Sequence, residues 1–253
     1  MTNSSIQDIR QKVEEYNQHL PELRLPAGHP GSRGMAGWID HTLLKPEAIP
    51  AQVEQLCSEA RQYQFASVCV NPLFARLAAS NLEGSGVLVC VVVGFPLGAT
   101  PSRVKVAETR TSIEDGAKEI DMVVPIGLLR MGNLEAVLDD IQAVSAAAHA
   151  QGAILKVILE NTYLDQIAKI AGCLVSQAAG ADFVKTSTGF GPSGATLADV
   201  ELMRRVVGPE MGVKAAGGIR TLADANAFLA AGATRLGCSS GVKIMQEIET
   251  KGS

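Results

Sequence analysis

The chain has 253 residues, of which 47% are hydrophobic and 19% are charged, a composition typical of a globular protein with a well-buried core. Its formal net charge of −4 offers no electrostatic reason to expect nucleic acid or an anionic membrane as a partner, so a small soluble ligand is expected. No apolar run reaches the roughly 18 residues of a membrane span, and the polar N-terminus lacks the apolar core of a signal peptide, which favours a cytosolic protein.

The first part of the chain differs from the rest. Residues 8–20, DIRQKVEEYNQHL, predict a polar helix, and residues 25–37, LPAGHPGSRGMAG, form a Pro/Gly-rich connector. We therefore interpret residues 1–36 as an N-terminal helical extension that packs outside the main domain, which comprises residues 37–253.

Short β-branched runs alternate with amphipathic helical stretches along that main domain. Helical spacing of apolar residues is clearest in segments 50–64, 133–150 and 221–231. Eight strands are predicted, at residues 38–42, 67–71, 88–94, 119–124, 154–160, 183–186, 212–216 and 235–239. Several strands follow a glycine placed where a helix would end in the left-handed conformation, namely Gly116, Gly152, Gly180, Gly212 and Gly232.

Eight βα units joined by short connections predict a parallel sheet with right-handed crossovers, and about 215 residues is the usual length of a (β/α)8 TIM barrel. An open doubly wound sheet is the alternative. It would more commonly have five or six parallel strands and a glycine-rich first turn, whereas the segment after the first strand, IDHTLLKP, contains no glycine.

The cysteines and histidines give no sign of disulfides or of a structural zinc site. The five cysteines are odd in number, widely spread and mostly within apolar runs, which fits reduced, buried thiols. The four histidines show no paired metal-ligand spacing.

Lys185 is the first candidate for catalysis, because active sites of such barrels lie at the C-terminal ends of the strands. It follows Phe183 and Val184 in a strand that is expected to be buried on both faces. Burial disfavours the charged form of a lysine, and a free amine adds to carbonyls. For a single lysine, a salt bridge at the barrel rim is an equally good interpretation.

Two further ionisable residues favour catalysis over that salt bridge. Lys214, in GVKAAGG, lies on the next strand, where each ammonium is expected to disfavour protonation of the other. Asp121, in EIDMVV, can keep one amine charged and relay protons. Three such groups on the fourth, sixth and seventh strands predict one cavity in which Lys185 forms a Schiff base with a substrate carbonyl.

Even spacing along a strand places other polar residues on the inner face. Asp40 and Thr42 share a face and are expected to bind substrate hydroxyls or to orient the second lysine, so His41 between them points outward. Lys156 and Glu160 also share a face, and we predict a buried ion pair that supports the site.

Glycine-rich loops after the last three strands, STGFGPSG, AAGGIRT and GCSSG, predict a phosphate site, because their backbone N–H groups lie unobstructed at the entrance to helices. Tight turns alone are the alternative for any one glycine. Arg220 either adds charge or caps a helix. The candidate substrate contacts in these loops and the preceding strand are Thr186, Gly189, Gly217, Gly218, Gly237, Ser239 and Ser240.

Taken together, the motifs resemble those of the deoxyribose-phosphate aldolases, a family of class I, metal-independent aldolases. The resemblance runs from about residue 39 to residue 241. It is carried by IDHTLLKP, SVCVNP, VVVGFPLGAT, EIDMVVPIG, LKVILEN, FVKTSTGFGPSGAT, VKAAGGIRT and RLGCSSG.

The resemblance implies reversible cleavage of 2-deoxy-D-ribose 5-phosphate into D-glyceraldehyde 3-phosphate and acetaldehyde, without a metal or cofactor. It implies that Lys185 is the Schiff-base lysine, Lys214 the second lysine and Asp121 the acid/base aspartate. It also implies a homo-oligomer, a dimer or higher. Some relatives carry a phosphate-binding lysine where this chain has Phe190, a difference that bears on phosphate affinity.

Two other functions remain open at this point. One is a Schiff-base aldolase of the same barrel type that acts on a different phosphorylated ketose or aldehyde. The other is a catalytically silent barrel that binds a sugar phosphate as a sensor or scaffold. Two facing lysines argue against the silent barrel, because simple binding does not need them.

Overall fold

The computed structural model describes residues 5–27 and 31–252. Eight parallel strands pair in chain order, and the eighth pairs with the first to close a barrel. The predicted (β/α)8 barrel is confirmed, and each predicted strand end lies within two residues of the observed one. The strands are β1 (Ile39–Leu43), β2 (Ser67–Val70), β3 (Leu88–Val93), β4 (Glu119–Val123), β5 (Ile154–Ile158), β6 (Phe183–Lys185), β7 (Gly212–Ala216) and β8 (Arg235–Cys238).

Helices cover the outside of the barrel. They are α1 (Ile6–Gln18), α2 (Pro50–Tyr63), α3 (Ala75–Leu82), α4 (Ser102–Glu114), α5 (Ile126–Arg130), α6 (Leu134–His149), α7 (Gln166–Ala178), α8 (Leu197–Val207), α9 (Leu222–Ala230) and α10 (Gly241–Gly252), with short 3-10 helices at Gly31–Trp38, Pro72–Phe74 and Asn161–Tyr163. Five of them have an N-cap side-chain oxygen that accepts a hydrogen bond from a backbone N–H of the first turn. Ser5 caps α1 in this way, and Asn133, Asp165, Thr196 and Thr221 cap α6, α7, α8 and α9. The last four caps fix where the chain turns into α6, α7, α8 and α9.

Glycines at the helix-to-strand junctions behave as predicted with one exception. Gly116, Gly152, Gly180 and Gly232 all have positive φ. Gly212 does not, and the prediction was wrong there: a Cβ on Gly212 would lie 2.1 Å from the Phe183 ring. Glycine is required at position 212 by close packing between β6 and β7 rather than by a left-handed turn.

The N-terminal helix α1 packs against α7 on the outside of the barrel. Its apolar residues Ile9 and Val13 are buried, whereas the remaining face is polar. Arg205 of α8 donates a hydrogen bond of 3.0 Å to the carbonyl of Pro21. This bond holds the segment after α1 against α8. Residues 1–4 and 28–30 of the predicted extension and connector lie outside the described residues. The predicted domain boundary after residue 36 falls within the 3-10 helix Gly31–Trp38 and stays a prediction.

The main hydrophobic core lies between the barrel and its helices, and a smaller one of Leu44, Cys69, Cys90 and Val92 fills part of the interior. All five cysteines are buried and free, as expected. His41 points outward to α2, where it lies 2.7 Å from Glu59 and packs on Phe65, which confirms its predicted orientation. Among residues 5–27 and 31–252, no helix combines the length and apolar character that a membrane crossing needs.

Candidate active site

A network of ion pairs crosses the interior of the barrel. Strand alternation turns these side chains inward, while their neighbours, such as Val184 and Val213, pack outward against helices. The network joins three carboxylates to four cations: Asp40 on β1, Glu119 and Asp121 on β4, Lys156 on β5, Lys185 on β6, Lys214 on β7 and Arg235 on β8. All of them are buried except Arg235, whose side chain is 13% exposed.

Asp121 lies at the centre of this network. Its Oδ2 accepts hydrogen bonds from Lys185 Nζ and from Lys214 Nζ, both at 2.7 Å, and its Oδ1 accepts one from Lys156 Nζ at 2.8 Å. Burial acts to raise the pKa of Asp121, but the three ammonium groups outweigh it and hold that pKa well below the ordinary value. The carboxylate is therefore ionised throughout the neutral range. The structure brings together the three residues predicted from the strand ends.

Strand register explains why Lys185 and Lys214 meet. The two residues are direct partners in the β6–β7 pairing, and Asp121 and Lys156 are partners in the β4–β5 pairing. Gly237 on β8 supplies the space for the second lysine, since a Cβ at Gly237 would lie 3.0 Å from Lys214 Cε.

Lys214 does not behave as the sequence suggested. Its Nζ lies 2.5 Å from Asp40 Oδ2 as well as 2.7 Å from Asp121. Burial acts to lower the pKa of Lys214, but these two carboxylates outweigh it and raise that pKa above the ordinary value. The expectation that neighbouring ammonium groups would suppress protonation was wrong for Lys214, because carboxylates lie between the cations. Lys214 remains a charged hydrogen-bond donor.

Asp40 lies deeper than a substrate-binding residue would. Its Oδ1 accepts a hydrogen bond from Arg235 at 2.6 Å, while Oδ2 faces Lys214 and, at 3.8 Å, Lys156. Burial acts to raise the pKa of Asp40, and the three cations outweigh it and lower the pKa. Of the two roles expected for Asp40, the orientation of Lys214 is the one that the contacts support.

The predicted ion pair between Lys156 and Glu160 was wrong. Lys156 instead pairs with Glu119 at 2.6 Å and with Asp121. β5 ends at Ile158 and Glu160 has a φ of 57°, so the two-residue alternation of the strand does not extend to position 160. Glu160 accepts hydrogen bonds from the backbone N–H and the hydroxyl of Thr188, and so holds the loop after β6.

Glu119 and Arg235 were not identified from the sequence. Arg235 donates hydrogen bonds to Glu119 at 3.0 and 3.2 Å. A signal for both was present, because Glu119 precedes Asp121 by two residues, and Arg235 precedes Gly237 by two, which places each on the inner face of its strand.

A cavity of about 440 Å³ opens above the network at the C-terminal end of the barrel. Lys185 lines it, but Lys156, Lys214 and Asp121 do not. The predicted substrate residues that line this cavity are Thr42, Gly189, Gly217, Gly218, Gly237, Ser239 and Ser240, and the unpredicted or unassigned ones include Lys45, Thr188, Phe190 and Arg220.

Thr186 is not among these lining residues. Its buried hydroxyl lies between the backbone groups of Ala216, accepting from the N–H at 3.1 Å and donating to the carbonyl at 3.3 Å. This side chain fastens the end of β6 to the end of β7. Its predicted contact with substrate has no support in the geometry.

The loops after β6 and β7 are joined through their backbones. The N–H of Ala195 donates to the carbonyls of Ala216 and Gly217, both at 3.1 Å. A Cβ on Gly194 would lie 2.4 Å from the Gly217 carbonyl oxygen, so only glycine permits this approach. Gly217 and Gly218 both have a φ of +88°, a conformation that other residues rarely adopt.

Two groups of possible metal ligands overlap the network within the described residues: Cys69, Cys90 and Asp121, and Asp40, Cys90 and Glu119. The ammonium of Lys156 lies 3.3 Å from Cys90 Sγ and also contacts Asp121 and Glu119. The carboxylates of both groups thus already serve as ion-pair partners of lysine or arginine.

Comparison with known proteins gives a consistent family relationship. Residues 35–247 match the model of a family described as DeoC/LacD family aldolase. A deoxyribose-phosphate aldolase of Streptococcus gordonii is 58% identical over 209 residues, which cover 83% of this chain and 94% of that protein. One from Streptococcus uberis is 56% identical over 215 residues, covering 85% and 97%.

Solved structures agree with the sequence relatives. A crystal structure from Coccidioides immitis has a TM-score of 0.89 and 40% identity, and covers 98% of this chain and 100% of that one. The tetrameric deoxyribose phosphate aldolase from Aeropyrum pernix has a TM-score of 0.81 and 35% identity, with the same coverage.

Proposed function

The chain belongs to the DeoC/LacD family of aldolases, and on that premise we propose that it is a deoxyribose-phosphate aldolase. It reversibly cleaves 2-deoxy-D-ribose 5-phosphate to D-glyceraldehyde 3-phosphate and acetaldehyde through a lysine Schiff base. The named relatives, more than 50% identical over most of their length, support the substrate and the reaction.

One observation carries the assignment of the Schiff-base residue. Lys185 is the one lysine of the buried network that lines the cavity. Its Nζ has a single carboxylate partner, Asp121, whereas Lys214 has two and Lys156 has three. Lys185 is therefore the amine of the network that reaches the cavity, and the one held by the fewest ion pairs.

In the first half of the proposed reaction, the neutral amine of Lys185 attacks the aldehyde carbon of the open-chain sugar phosphate. Loss of water gives an iminium ion, which draws electrons from the neighbouring bonds. The carboxylate of Asp121 lies 2.7 Å from Lys185 Nζ and stabilises the positive iminium nitrogen.

In the second half, a water held by Asp121 and Lys214 removes the proton of the C3 hydroxyl. The C2–C3 bond then breaks and C3 to C5 leave as glyceraldehyde 3-phosphate, while the electron pair of the broken bond stays on C1 and C2 as an enamine bound to Lys185. Protonation of the enamine and hydrolysis of the iminium release acetaldehyde and regenerate Lys185. The charge on Lys214 suits the donor role in this relay, and its two ion pairs fix its position.

The glycine and serine residues of the cavity wall supply the phosphate site. Ser239 and Ser240 directly precede α10, where backbone N–H groups and the helix dipole favour an anion, and Gly217 and Gly218 lie in the loop that leads from β7 to α9. Phe190, half-exposed at the mouth, packs edge-on against Phe95 with ring centroids 5.4 Å apart. It adds an apolar wall where some relatives carry a lysine.

We also propose that the chain acts as a homo-oligomer in the cytosol. The tetrameric relative from Aeropyrum pernix supports assembly. The five free, buried thiols support a reducing compartment. Light scattering on full-length chain and on a chain without residues 1–20 distinguishes assembly through the barrel from assembly through α1.

A coupled assay tests the function directly. Purified chain is given 2-deoxyribose 5-phosphate, and the release of glyceraldehyde 3-phosphate is followed with and without a chelator. We expect turnover that the chelator does not change. In the reverse direction, acetaldehyde should serve as the donor, which separates this activity from that of aldolases acting on other phosphorylated ketoses. Binding of the sugar phosphate without turnover would indicate a silent barrel instead.

A further inference from the structure

The ion-pair network extends well beyond the cavity, to the opposite end of the barrel. Arg235, at the first residue of β8, contacts Asp40 and Glu119, which contact Lys214 and Lys156. Those two lysines contact Asp121, the partner of Lys185. Arg235 also lines a second cavity, of about 810 Å³, together with Trp38, Phe183 and Gly212 near the N-terminal strand ends. It does not line the cavity above Lys185.

The charges of this network do not balance when every group is ionised. Three carboxylates face three lysines and one arginine, and burial of an uncompensated charge is costly. A guanidinium keeps its charge under all conditions that a protein survives, so among the cations only a lysine can give up a proton. Among the lysines, Lys185 has the fewest carboxylate contacts.

We propose that Arg235 is a positioning residue for the aldolase reaction, which acts through Asp40 and Glu119 to leave Lys185 as the neutral amine. Without its charge, three lysines match three carboxylates, and the network is balanced with Lys185 protonated and unable to attack a carbonyl. The inference rests on the proposed Schiff-base function. Arg235 itself does not line the substrate cavity.

Other ionisable groups face Lys185 from the surrounding strands. Two of these groups are thiols: burial raises the pKa of Cys90, whereas a hydrogen bond from Cys90 lowers the pKa of Cys69. The other ionisable groups of the barrel interior are Asp40 from β1, Cys69 from β2, Cys90 from β3, Glu119 and Asp121 from β4, Lys156 from β5, Lys214 from β7 and Arg235 from β8. Lys45 and Arg220 line the same cavity as Lys185. The charge count takes both thiols as protonated.

The test measures kcat/KM for deoxyribose 5-phosphate cleavage against pH in four chains. They are the native chain, Arg235→Lys, Arg235→Met and the double variant Arg235→Met/Glu119→Gln. We expect Arg235→Met to move the midpoint of the acid limb upward by about one pH unit, which lowers kcat/KM by about tenfold at pH values below the native midpoint. Arg235→Lys keeps the charge and should stay close to the native profile.

The double variant separates charge from structure. It removes one cation and one carboxylate, so the network again has one more positive than negative group. The midpoint of the acid limb should therefore return to the native value, even though two buried groups have changed. An equal fall in kcat/KM at every pH, with no movement of the midpoint in Arg235→Met, would overturn the proposal. So would a double variant that stays shifted. Trapping of acetaldehyde on Lys185 by borohydride at pH 7 should follow the same order among the variants.

Two controls complete the experiment. If Arg235→Met does not fold, Glu119→Gln alone is expected to move the midpoint downward, and an unchanged or raised midpoint contradicts the charge count. Cys69→Ser should leave the midpoint in place, whereas a shift of similar size would mean that a thiolate belongs in the count and that the proposal is wrong. A native chain without cleavage activity would instead refute the proposed function.

Discussion

Lys185 and Lys214 are direct partners across β6 and β7, and both donate to one oxygen atom, Oδ2 of Asp121, at 2.7 Å. Two adjacent amines are thus held by one carboxylate oxygen, but only one of them reaches the cavity. Lys214 is held in addition by Asp40. This difference in partners, rather than repulsion between the two amines, separates the nucleophile from the proton donor.

Labelling should therefore distinguish the two lysines. Borohydride reduction in the presence of acetaldehyde is expected to attach a two-carbon label to Lys185, located by peptide mass mapping. Lys185→Met should abolish the label and lower kcat by about 10⁴-fold or more. Lys214→Met should lower the rate while the label on Lys185 persists. The exposed Lys243→Met is the matched control, and a label on Lys156 or Lys214 in the native chain contradicts the assignment.

Stability should depend on the charge of Asp121. The pKa of Asp121 is lowered in the folded chain, so its contribution is present above the unfolded pKa of about 4 and is lost as pH falls through the folded pKa. The raised pKa of Lys214 gives a contribution that is present below about pH 10 and is lost as pH rises further. We expect a plateau in the free energy of unfolding between these limits.

Urea unfolding at a series of pH values measures this plateau. Asp121→Asn leaves buried ammonium groups without their shared partner and should lower the plateau by about 3–5 kcal/mol. It should also flatten the decline on the acid side. Asp139→Asn, an exposed carboxylate on α6, is the matched control and should change stability little. Equal effects of the two substitutions would argue against the network as a source of stability.

The phosphate loop is expected to be sensitive to the backbone conformation of Gly218. Gly218→Ala meets no steric obstacle, but its φ of +88° disfavours any residue with a Cβ. The loop should shift and raise KM for deoxyribose 5-phosphate by about tenfold, with little change for unphosphorylated deoxyribose. Gly152→Ala carries the same kind of strain at φ +70° before β5, outside the cavity, and should affect folding stability alone.

Phe190 offers a test of phosphate affinity. Phe190→Lys places a cation at the cavity mouth in place of an aromatic ring that packs on Phe95. We expect KM for the phosphorylated substrate to fall several-fold at low ionic strength, with the gain decreasing as salt is added. Phe190→Met keeps an apolar side chain and serves as the control. A KM that is independent of salt in Phe190→Lys would place the phosphate elsewhere.

The N-terminal helix should stabilise the chain without entering the chemistry. Ile9 of α1 is 2% exposed and faces the α7 side of the barrel. Ile9→Ala is expected to cost about 2–4 kcal/mol, measured by thermal unfolding, with kcat unchanged below the transition. Glu14→Ala, on the polar face of the same helix, should leave the melting temperature in place.

Local sequence patterns predict most of this fold, because the alternation of strands, the spacing of apolar residues in helices and the glycines at helix ends all depend on residues close together in the chain. The same alternation identifies Lys185, Lys214 and Asp121 as inward-facing groups. It does not identify their partners. Whether Lys156 pairs with Glu160, four residues later in the chain, or with Glu119 on the neighbouring strand β4 depends on how the closed barrel staggers its strands, and on where the backbone leaves β5 after Ile158.

Arg235 shows the same limitation at longer range. It lies 195 residues after Asp40 in the chain, and the two side chains meet because β8 pairs with β1 to close the barrel. The charges that surround Lys185 come from strands along the whole barrel and cannot be read from any single segment of the sequence.

The backbone hydrogen bonds of Ala195 with Ala216 and Gly217 make one unit of the loops after β6 and β7. A free loop loses conformational entropy equivalent to about 1–2 kcal/mol for each residue that a ligand orders. Here that loss occurs once, when the barrel folds, so that the binding of each new substrate molecule orders little additional backbone. Product release from this preorganised wall can then proceed without a loop having to open.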